Sequence, residues 1–363
     1  MRLIPTIACQ PGMRLGKAIY NEEGNVLLNI HVELSTHLIT RLKQLGVDYV
    51  YIQDPLTDDI EIMDSLSDKT RFKALMEIRN QFRTIMEEYS NRRSINHPIL
   101  GKAFNNVLKM IIEDLSENKG ALIMLSQVNV MNNYLFSHTL NVTIITVTLG
   151  IIQGYSRNDL QALGLGSLLH DIGKTRINPN LLTKKGPLTI EEFEEIKQHT
   201  LYGFQLLKDE PNIPLLAAHC AFQHHERLDG SGYPRGILDE EIHDFAKWIA
   251  IADSFDAMTN HRPYRHAILP HQAMEVLFSY SGSLYDRKKV SLFRDNIAIY
   301  PLGITVRLTT GEKGVVVKID AISPQRPVVR IFEDAEGNRV DSQYEIDLSV
   351  KHSILIESVN DFS

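Results

Sequence analysis

The chain has 363 residues, of which 43% are hydrophobic and 23% charged, and its formal net charge is −7. This length exceeds that of a usual single domain, and the acidic balance argues against a nucleic-acid binder, which normally carries a basic excess. Cys9 and Cys220 are too few for a disulfide framework, so we expect a globular protein of several modules in a reducing cytoplasm.

Residues 1–65 predict a small α+β module. Residues 16–28 indicate a hairpin with its turn at 22–25, because apolar runs flank a polar centre. Leu38, Leu42 and Leu45 follow at helical spacing, and Gly46 ends that helix. Residues 47–52 then predict a strand, and the acidic stretch after it marks the first boundary.

Residues 66–98 predict a connecting helix, since residues 69–93 carry an apolar stripe among charges. Such a helix can serve as a connector or as the seam of a homodimer, and the sequence leaves both open. The apolar stretch 140–153 is shorter than a bilayer span and is interrupted by Asn, Thr and Gly. We therefore expect a buried helix there and no membrane span.

In residues 99–298 the hydrophobic residues mostly recur at helical spacing, which predicts a helical domain. Residues 299–363 predict a small antiparallel β module. In the latter, Ile304, Val306 and Leu308 alternate with polar residues before a turn at 311–314, and a second alternating run follows it. The predicted fold class is mainly α, with a helical core between an N-terminal α+β module and a C-terminal β module.

The stretch "LLHDIGK" places His170 and Asp171 near the end of a predicted helix. Ser156 and Asp159 suit the start of that helix, and Gly173 suits its C-terminal cap. Neighbouring side chains about 100° apart on a helix can flank one ion. A carboxylate beside an imidazole also suits a pair of metals, because it has two oxygens to share.

Other helices carry further candidate ligands at positions predicted to point inward or to lie at helix ends. These residues are His138, His199, His224, His225 and Asp253. Each alone also has a structural interpretation, as a hydrogen-bonded core histidine or a carboxylate held by backbone donors or by a nearby arginine. Five imidazoles and two carboxylates together favour a metal site, since unpaired charges are rarely buried and a metal satisfies several ligands at once. Asp256 is predicted to be structural, and Glu226 to lie outside the ligand set.

Three motifs in order resemble the HD-GYP domain, a branch of the HD superfamily of metal-dependent phosphohydrolases. They are "HDIGK" at 170–174, "HHERLDGSGYP" at 224–234 and "ADSFDAMTNHRPYR" at 252–265, with His199 between the first two. The resemblance covers residues 100–295. It implies a helical core that hydrolyses cyclic di-GMP, a bacterial second messenger, at a site of two or three metals, often iron or manganese.

The resemblance also implies roles for individual residues. The metal ligands would be His138, His170, Asp171, His199, His224, His225 and Asp253, with Asp171 bridging. Lys174 would contact the scissile phosphate, and Arg262 and Arg265 this phosphate or the distal one. The loop 230–234, with Gly232 and Tyr233, would shape the nucleotide side of the pocket. A diguanylate cyclase of the GGDEF type is a partner that the family implies.

One position departs from the family pattern. Members with a third metal carry a glutamate four residues before the first histidine ligand, and this chain has Tyr134 there. A phenol with a pKa near 10 is a poor ligand for a hard divalent ion. The sequence therefore predicts two divalent metal ions, Fe or Mn, and the linear dinucleotide pGpG as the main product.

Two rival hypotheses remain. The first keeps the chemistry but changes the substrate to a mixed cyclic GMP–AMP dinucleotide. The second is a catalytically weak receptor or adaptor that binds cyclic di-GMP. The complete ligand set argues against the receptor, because a protein that only binds has no need of seven metal-ligating side chains.

Overall fold

A computed structural model of the chain describes residues 1–20, 25–47, 49–60, 66–90, 100–117, 123–124, 134–184, 186–260, 268–320 and 322–359. They divide into two compact units. One unit combines residues 1–65, 120–132 and 295–363, and the other holds residues 66–119 and 133–294. The predicted fold class is confirmed, since most described elements are helices and an antiparallel sheet lies near the C-terminus.

The first 65 residues form the expected α+β elements. The strands are β1 Arg2–Pro5, β2 Ile19–Tyr20, β3 Val26–Leu28 and β4 Tyr49–Ile52, and helix α1 Thr36–Gln44 precedes β4. β1 pairs antiparallel with β4, and β2 with β3. The Ser35 hydroxyl accepts from the Leu38 amide and so caps α1. Most of the predicted hairpin turn, residues 22–24, lies outside the described residues.

The second unit is helical. Its helices are α2 Asp68–Ser90, α3 Leu100–Glu117, α4 Tyr134–Ile152, α5 Arg157–Leu169, α6 Pro179–Leu182, α7 Ile190–Lys197, α8 His199–Leu207, α9 Leu215–Gln223, α10 Asp244–Thr259, α11 Pro270–Ser279 and α12 Arg287–Asn296. The predicted connecting helix corresponds to α2, and its residues 91–98 lie outside the described part. α4 and α9 both pack against α5, and α4 also contacts α10. Helices α4, α9 and α10 thus pack around α5, and α8 packs on α9 and on the 3-10 segment 172–176.

Helix α4 is buried although it contains several threonines. The hydroxyls of Thr143 and Thr146 donate to carbonyls four residues earlier, at 2.7 Å each, so these polar groups are satisfied within the helix. In the described part of the chain, Leu135–Ile152 alone is long and apolar enough to cross a membrane, but 67% of that segment is buried inside the structure. Such burial is typical of a core helix.

The C-terminal residues form the predicted antiparallel sheet. Short strands β5 Ile123–Met124 and β6 Ile297–Ala298 pair in parallel. The strands β7 Thr305–Leu308, β8 Lys313–Lys318, β9 Val328–Glu333, β10 Arg339–Asp347 and β11 Ile356–Val359 then make a sheet in the order β10-β9-β8-β7-β11. The alternation read from the sequence is explained by this sheet, because Ile304, Val306 and Leu308 all belong to its buried side.

Contacts between the two ends of the chain explain why they share one unit. The Leu3 amide donates to the Gly303 carbonyl at 2.8 Å. The Arg330 guanidinium binds both oxygens of Asp59 at 2.7 Å and donates to the Leu56 carbonyl. A side chain at position 303 would lie 2.6 Å from the Met1 carbonyl, so this backbone approach requires glycine. The sequence patterns alone predict two modules and not their association.

Candidate metal centre

The end of α5 places His170 and Asp171 in the interior of the helical unit. α5 ends at Leu169, and residues 172–176 continue as a 3-10 turn. The prediction that Gly173 caps the helix is therefore wrong, because Gly173 lies inside this turn. A Cβ atom at position 173 would lie 1.9 Å from the His199 carbonyl, so glycine is needed for the close approach of the turn to α8.

Three of the candidate histidines are oriented by the same local contact. The Nδ1 atom of His170 lies 2.7 Å from the Ser167 carbonyl, that of His199 2.6 Å from the Ile196 carbonyl, and that of His224 3.0 Å from the Ala221 carbonyl. A carbonyl can only accept, so each Nδ1 must carry the proton. Each Nε2 is then left with a lone pair, as a metal ligand requires.

The carboxylate of Asp171 lies between two pairs of these imidazoles. Its Oδ1 is 3.4 Å from Nε2 of His199 and 3.8 Å from Nε2 of His224. Its Oδ2 is 3.7 Å from Nε2 of His138 and 3.5 Å from Nε2 of His170. One oxygen thus faces each pair, which is the arrangement that a carboxylate shared by two metals needs.

Asp253 and His225 extend the same cluster. Asp253 Oδ1 lies 3.0 Å from His138 Nε2, and Asp253 Oδ2 lies 3.8 Å from His225 Nδ1. The potential ligand atoms form two groups, each within 4.8 Å: Asp171 with His199, His224 and His225, and Asp171 with His138 and His170. Asp171 belongs to both groups, and Asp253 contacts one histidine of each.

Burial sets the protonation of the cluster. Burial lowers the pKa of His170, holds those of His224 and His225 well below the usual range, and lowers that of His199 to about 4. Burial acts against the charged form of Asp171, but Lys174 and the neighbouring imidazoles outweigh it and hold the Asp171 pKa well below its usual range. Near neutral pH, His170, His199, His224 and His225 are thus neutral beside an ionised Asp171, and these are the forms that bind metals.

Two buried atoms indicate that the protein groups alone do not satisfy this cluster. His170 Nε2 and Asp171 Oδ1 have no hydrogen-bond partner among the described residues, although both side chains are almost fully buried. Leaving buried polar atoms without partners is costly. A divalent metal ligated by imidazole nitrogens and carboxylate oxygens would satisfy both atoms, so the residues present fit the implied metals.

Asp256 has a role that the sequence interpretation missed. Its Oδ2 lies 2.6 Å from His138 Nδ1, and both side chains are buried. Burial acts against a charge on His138, but its contacts with Asp253 and Asp256 outweigh this and raise its pKa. Asp256 thus orients the His138 ring with Nε2 toward Asp171 and Asp253. Its position three residues after Asp253, nearly one helical turn away on α10, is the signal that could have revealed this.

We expect Asp256→Asn to weaken metal binding about 10- to 100-fold, the usual cost of losing a group that orients a histidine ligand. The asparagine amide has nearly the size of the aspartate carboxylate, but its oxygen accepts the hydrogen bond from His138 less strongly. Metal titration of the metal-free protein measures the effect, and the melting temperature of that form controls for folding. An unchanged metal affinity would contradict the positioning role.

Lys174 reaches the same centre from the 3-10 turn. Its Nζ lies 2.5 Å from Asp171 Oδ2, and its side chain is 15% exposed. A cation is therefore held at the edge of the cluster, within reach of solvent. Arg262 and Arg265 lie outside the described residues, as does the side chain of Tyr134, whose backbone begins α4.

The loop after the histidine pair is held against it by backbone contacts. The buried carboxylate of Glu226 accepts from the amides of Arg235, Gly236 and Ile237. A Cβ atom at Gly232 would lie 2.5 Å from the His225 carbonyl and still closer to neighbouring backbone, so only glycine fits there. The ring of Tyr233 consequently stacks on His225, with 4.7 Å between centroids.

Comparisons with known proteins assign the region that holds these residues to a family. Residues 111–288 match the family described as HD domain, and residues 305–363 match the family described as KOW domain associated with HD domain. The first match contains every described candidate ligand, and the second covers strands β7–β11.

Three curated proteins illustrate the similarity. The chain is 30% identical over 244 residues to a cyclic di-GMP phosphodiesterase of Pseudomonas aeruginosa, covering 67% of this chain and 59% of that protein. It is 41% identical over 174 residues to a cyclic di-GMP phosphodiesterase of Thermotoga maritima, covering 47% of this chain and 46% of that protein. It is 35% identical over 150 residues to 3'3'-cGAMP-specific phosphodiesterase 3 of Vibrio cholerae, covering 41% and 32%. The chain therefore spans between about a third and three fifths of the length of these relatives.

Proposed function

The chain carries an HD domain and belongs to the HD superfamily of phosphohydrolases, and from this premise we propose that it hydrolyses cyclic di-GMP to linear pGpG. The observation that carries the proposal is the position of Asp171, whose two oxygens each face one pair of histidines. Hydrolysis of a phosphodiester is difficult because the substrate is anionic and neutral water is a poor nucleophile. Two divalent ions, Fe or Mn, would supply a more acidic water and positive charge for the phosphate oxygens.

The ligand assignment within this proposal follows the two groups that share Asp171. His199, His224 and His225 would hold one ion, and His138 and His170 the other, with Asp253 adding an oxygen between His138 and His225. Asp256 would hold the His138 ring in place. We propose two ions because Tyr134 stands where a third would need a glutamate, and pGpG as the main product for the same reason.

Substrate binding would use the cations around this centre. The Lys174 ammonium can move from Asp171 to a phosphate oxygen, since both are anionic acceptors and the side chain is partly exposed. Arg262 and Arg265 would bind the same or the distal phosphate, and Gly232 and Tyr233 would bound the nucleotide side. We place the enzyme in the cytoplasm, with a homodimer through α2 and a GGDEF-type diguanylate cyclase as proposed partners.

A second candidate substrate is a mixed cyclic GMP–AMP dinucleotide. The similarity to a 3'3'-cGAMP-specific phosphodiesterase supports it, and the same metal ligands would serve either substrate. One cyclic di-GMP phosphodiesterase has the longer alignment, at 244 residues, and the other the higher identity, at 41%, so cyclic di-GMP remains the first choice.

The test is turnover by the purified full chain, loaded anaerobically with Fe or Mn, with cyclic di-GMP and 3'3'-cGAMP as separate substrates. We expect faster release of pGpG from cyclic di-GMP than hydrolysis of cGAMP. The reverse order would favour the second candidate. Tight binding of cyclic di-GMP without turnover with either metal would favour the receptor hypothesis and contradict the proposal that the protein is an enzyme.

A further inference from the structure

A partly exposed group of side chains lies beside the histidine pair, on the outer side of Tyr233. Phe193 of α7 meets Tyr233 edge to face, with 6.3 Å between ring centroids. The Lys197 Nζ lies 4.8 Å from the Phe193 centroid and 5.5 Å from the Tyr233 centroid. We call Phe193, Lys197 and Tyr233 the aromatic ledge.

The ledge adjoins the metal centre and extends into solvent. Tyr233 stacks on His225 and approaches the His199 ring edge to face at 6.4 Å. Phe193 is 44% exposed, and the Lys197 side chain is 24% exposed. One end of the ledge therefore contacts candidate metal ligands, and the other end exposes an aromatic ring.

The core does not require this exposed ring. Phe193 lies on α7, none of whose residues is buried, and its half-exposed ring is not part of a hydrophobic core cluster of the described residues. Lys197 spends one donor on Glu194, 2.6 Å away, and an ammonium group has three. The ledge thus offers two aromatic surfaces and spare donors beside a centre suited to a phosphodiester.

We propose that the aromatic ledge binds one guanine base of the substrate, an inference that rests on the proposed function. In a dinucleotide the base is one ribose away from the phosphate, so a base can stack on one of these two nearly perpendicular rings, with its edge toward the other, while its phosphate meets the metal centre. Stacking on aromatic rings tolerates any base. Lys197 adds selectivity, because guanine presents O6 and N7 as neighbouring acceptors, whereas adenine presents a donor amine in place of O6.

The experiment compares two substrates on the metal-loaded full chain. Cyclic di-GMP has bases, and bis(p-nitrophenyl) phosphate is a phosphodiester without them. For Phe193→Ala and Lys197→Met we expect the KM for cyclic di-GMP to rise about tenfold, as loss of one base contact should cause. We expect kcat for cyclic di-GMP and kcat/KM for bis(p-nitrophenyl) phosphate to stay unchanged. In Lys197→Met, the preference for cyclic di-GMP over cyclic di-AMP should also fall.

Matched controls come from the same helical unit. Phe278 on α11 is 46% exposed and has the Arg294 guanidinium 5.3 Å from its ring centroid, so Phe278→Ala removes a similar cation–aromatic pair elsewhere. Lys208, paired with Asp209, provides Lys208→Met as the lysine control. Both controls should leave the KM for cyclic di-GMP unchanged.

Two results with the variants would overturn the assignment. An unchanged KM for cyclic di-GMP in Phe193→Ala and Lys197→Met would show that the ledge does not contact a base. An equal loss on both substrates would show that it only supports the histidines. If wild-type protein cleaves bis(p-nitrophenyl) phosphate but not cyclic di-GMP, the proposed function itself fails, and the guanine assignment fails with it.

Discussion

Replacing Asp171 by asparagine should abolish metal binding at both sites and lower kcat/KM for cyclic di-GMP at least about a thousandfold. Loss of a single charged or polar donor usually lowers kcat about 10²- to 10³-fold. The expected loss is larger here because the bridging oxygens of Asp171 serve two ions at once. Asparagine keeps the shape of the side chain but has only one weakly basic oxygen. Metal analysis after anaerobic loading should find about two ions per chain in the wild type, as Tyr134 predicts, and nearly none in Asp171→Asn.

Thermal unfolding separates loss of metal from loss of fold in this variant. Ligands that bind only the native state stabilise it, so added metal should raise the melting temperature of the wild type and not that of Asp171→Asn. Asp244→Asn is the matched control, because Asp244 also binds a lysine, Lys289, at 2.6 Å, but is not in the cluster. Retention of two ions in Asp171→Asn would contradict the bridging assignment, and three ions in the wild type would contradict the argument from Tyr134.

The helices that carry the candidate ligands were predictable because helix period and capping are local properties, whereas the resemblance to the HD-GYP domain indicated which of these residues would meet. His170 and Asp171 follow helix α5, and His224 and His225 come at the end of α9. Thr189 and Glu192 likewise form a capping box at the start of α7, and both residues lie within one helical turn. Periodicity and capping chemistry depend only on neighbours along the chain.

Features that depend on contacts between distant segments were not predictable from these patterns. Gly173 has the sequence context of a helix cap, but its conformation is set by the approach of the 3-10 turn to the backbone of α8. Asp256 meets His138 across 118 residues of chain. The association of the N-terminal elements with the C-terminal sheet likewise depends on Arg330 and Asp59, which are 271 residues apart. No local pattern encodes such pairs.

The position of Lys174 explains why its loss should affect catalysis more than metal binding. Its ammonium group lies against Asp171 Oδ2 and is partly accessible, so it can stabilise an anion arriving at the centre. An ammonium has no lone pair when protonated and is not a metal ligand. Its charge also lowers the Asp171 pKa, so without it protons compete more strongly with metal for this carboxylate. Measurement at a saturating metal concentration and neutral pH removes this indirect effect of Lys174 on metal binding.

Under those conditions we expect Lys174→Met to retain about two metal ions and to lower kcat/KM for cyclic di-GMP about 10²- to 10³-fold, the usual cost of one donor to the transition-state charge. Lys174→Arg should recover part of this loss, because a guanidinium also binds phosphate oxygens. Lys247→Met is the matched control, since its side chain is likewise 15% exposed and bound to an aspartate. Full activity of Lys174→Met would exclude contact with the scissile phosphate, whereas loss of metal at saturation would make Lys174 a support of the metal centre instead.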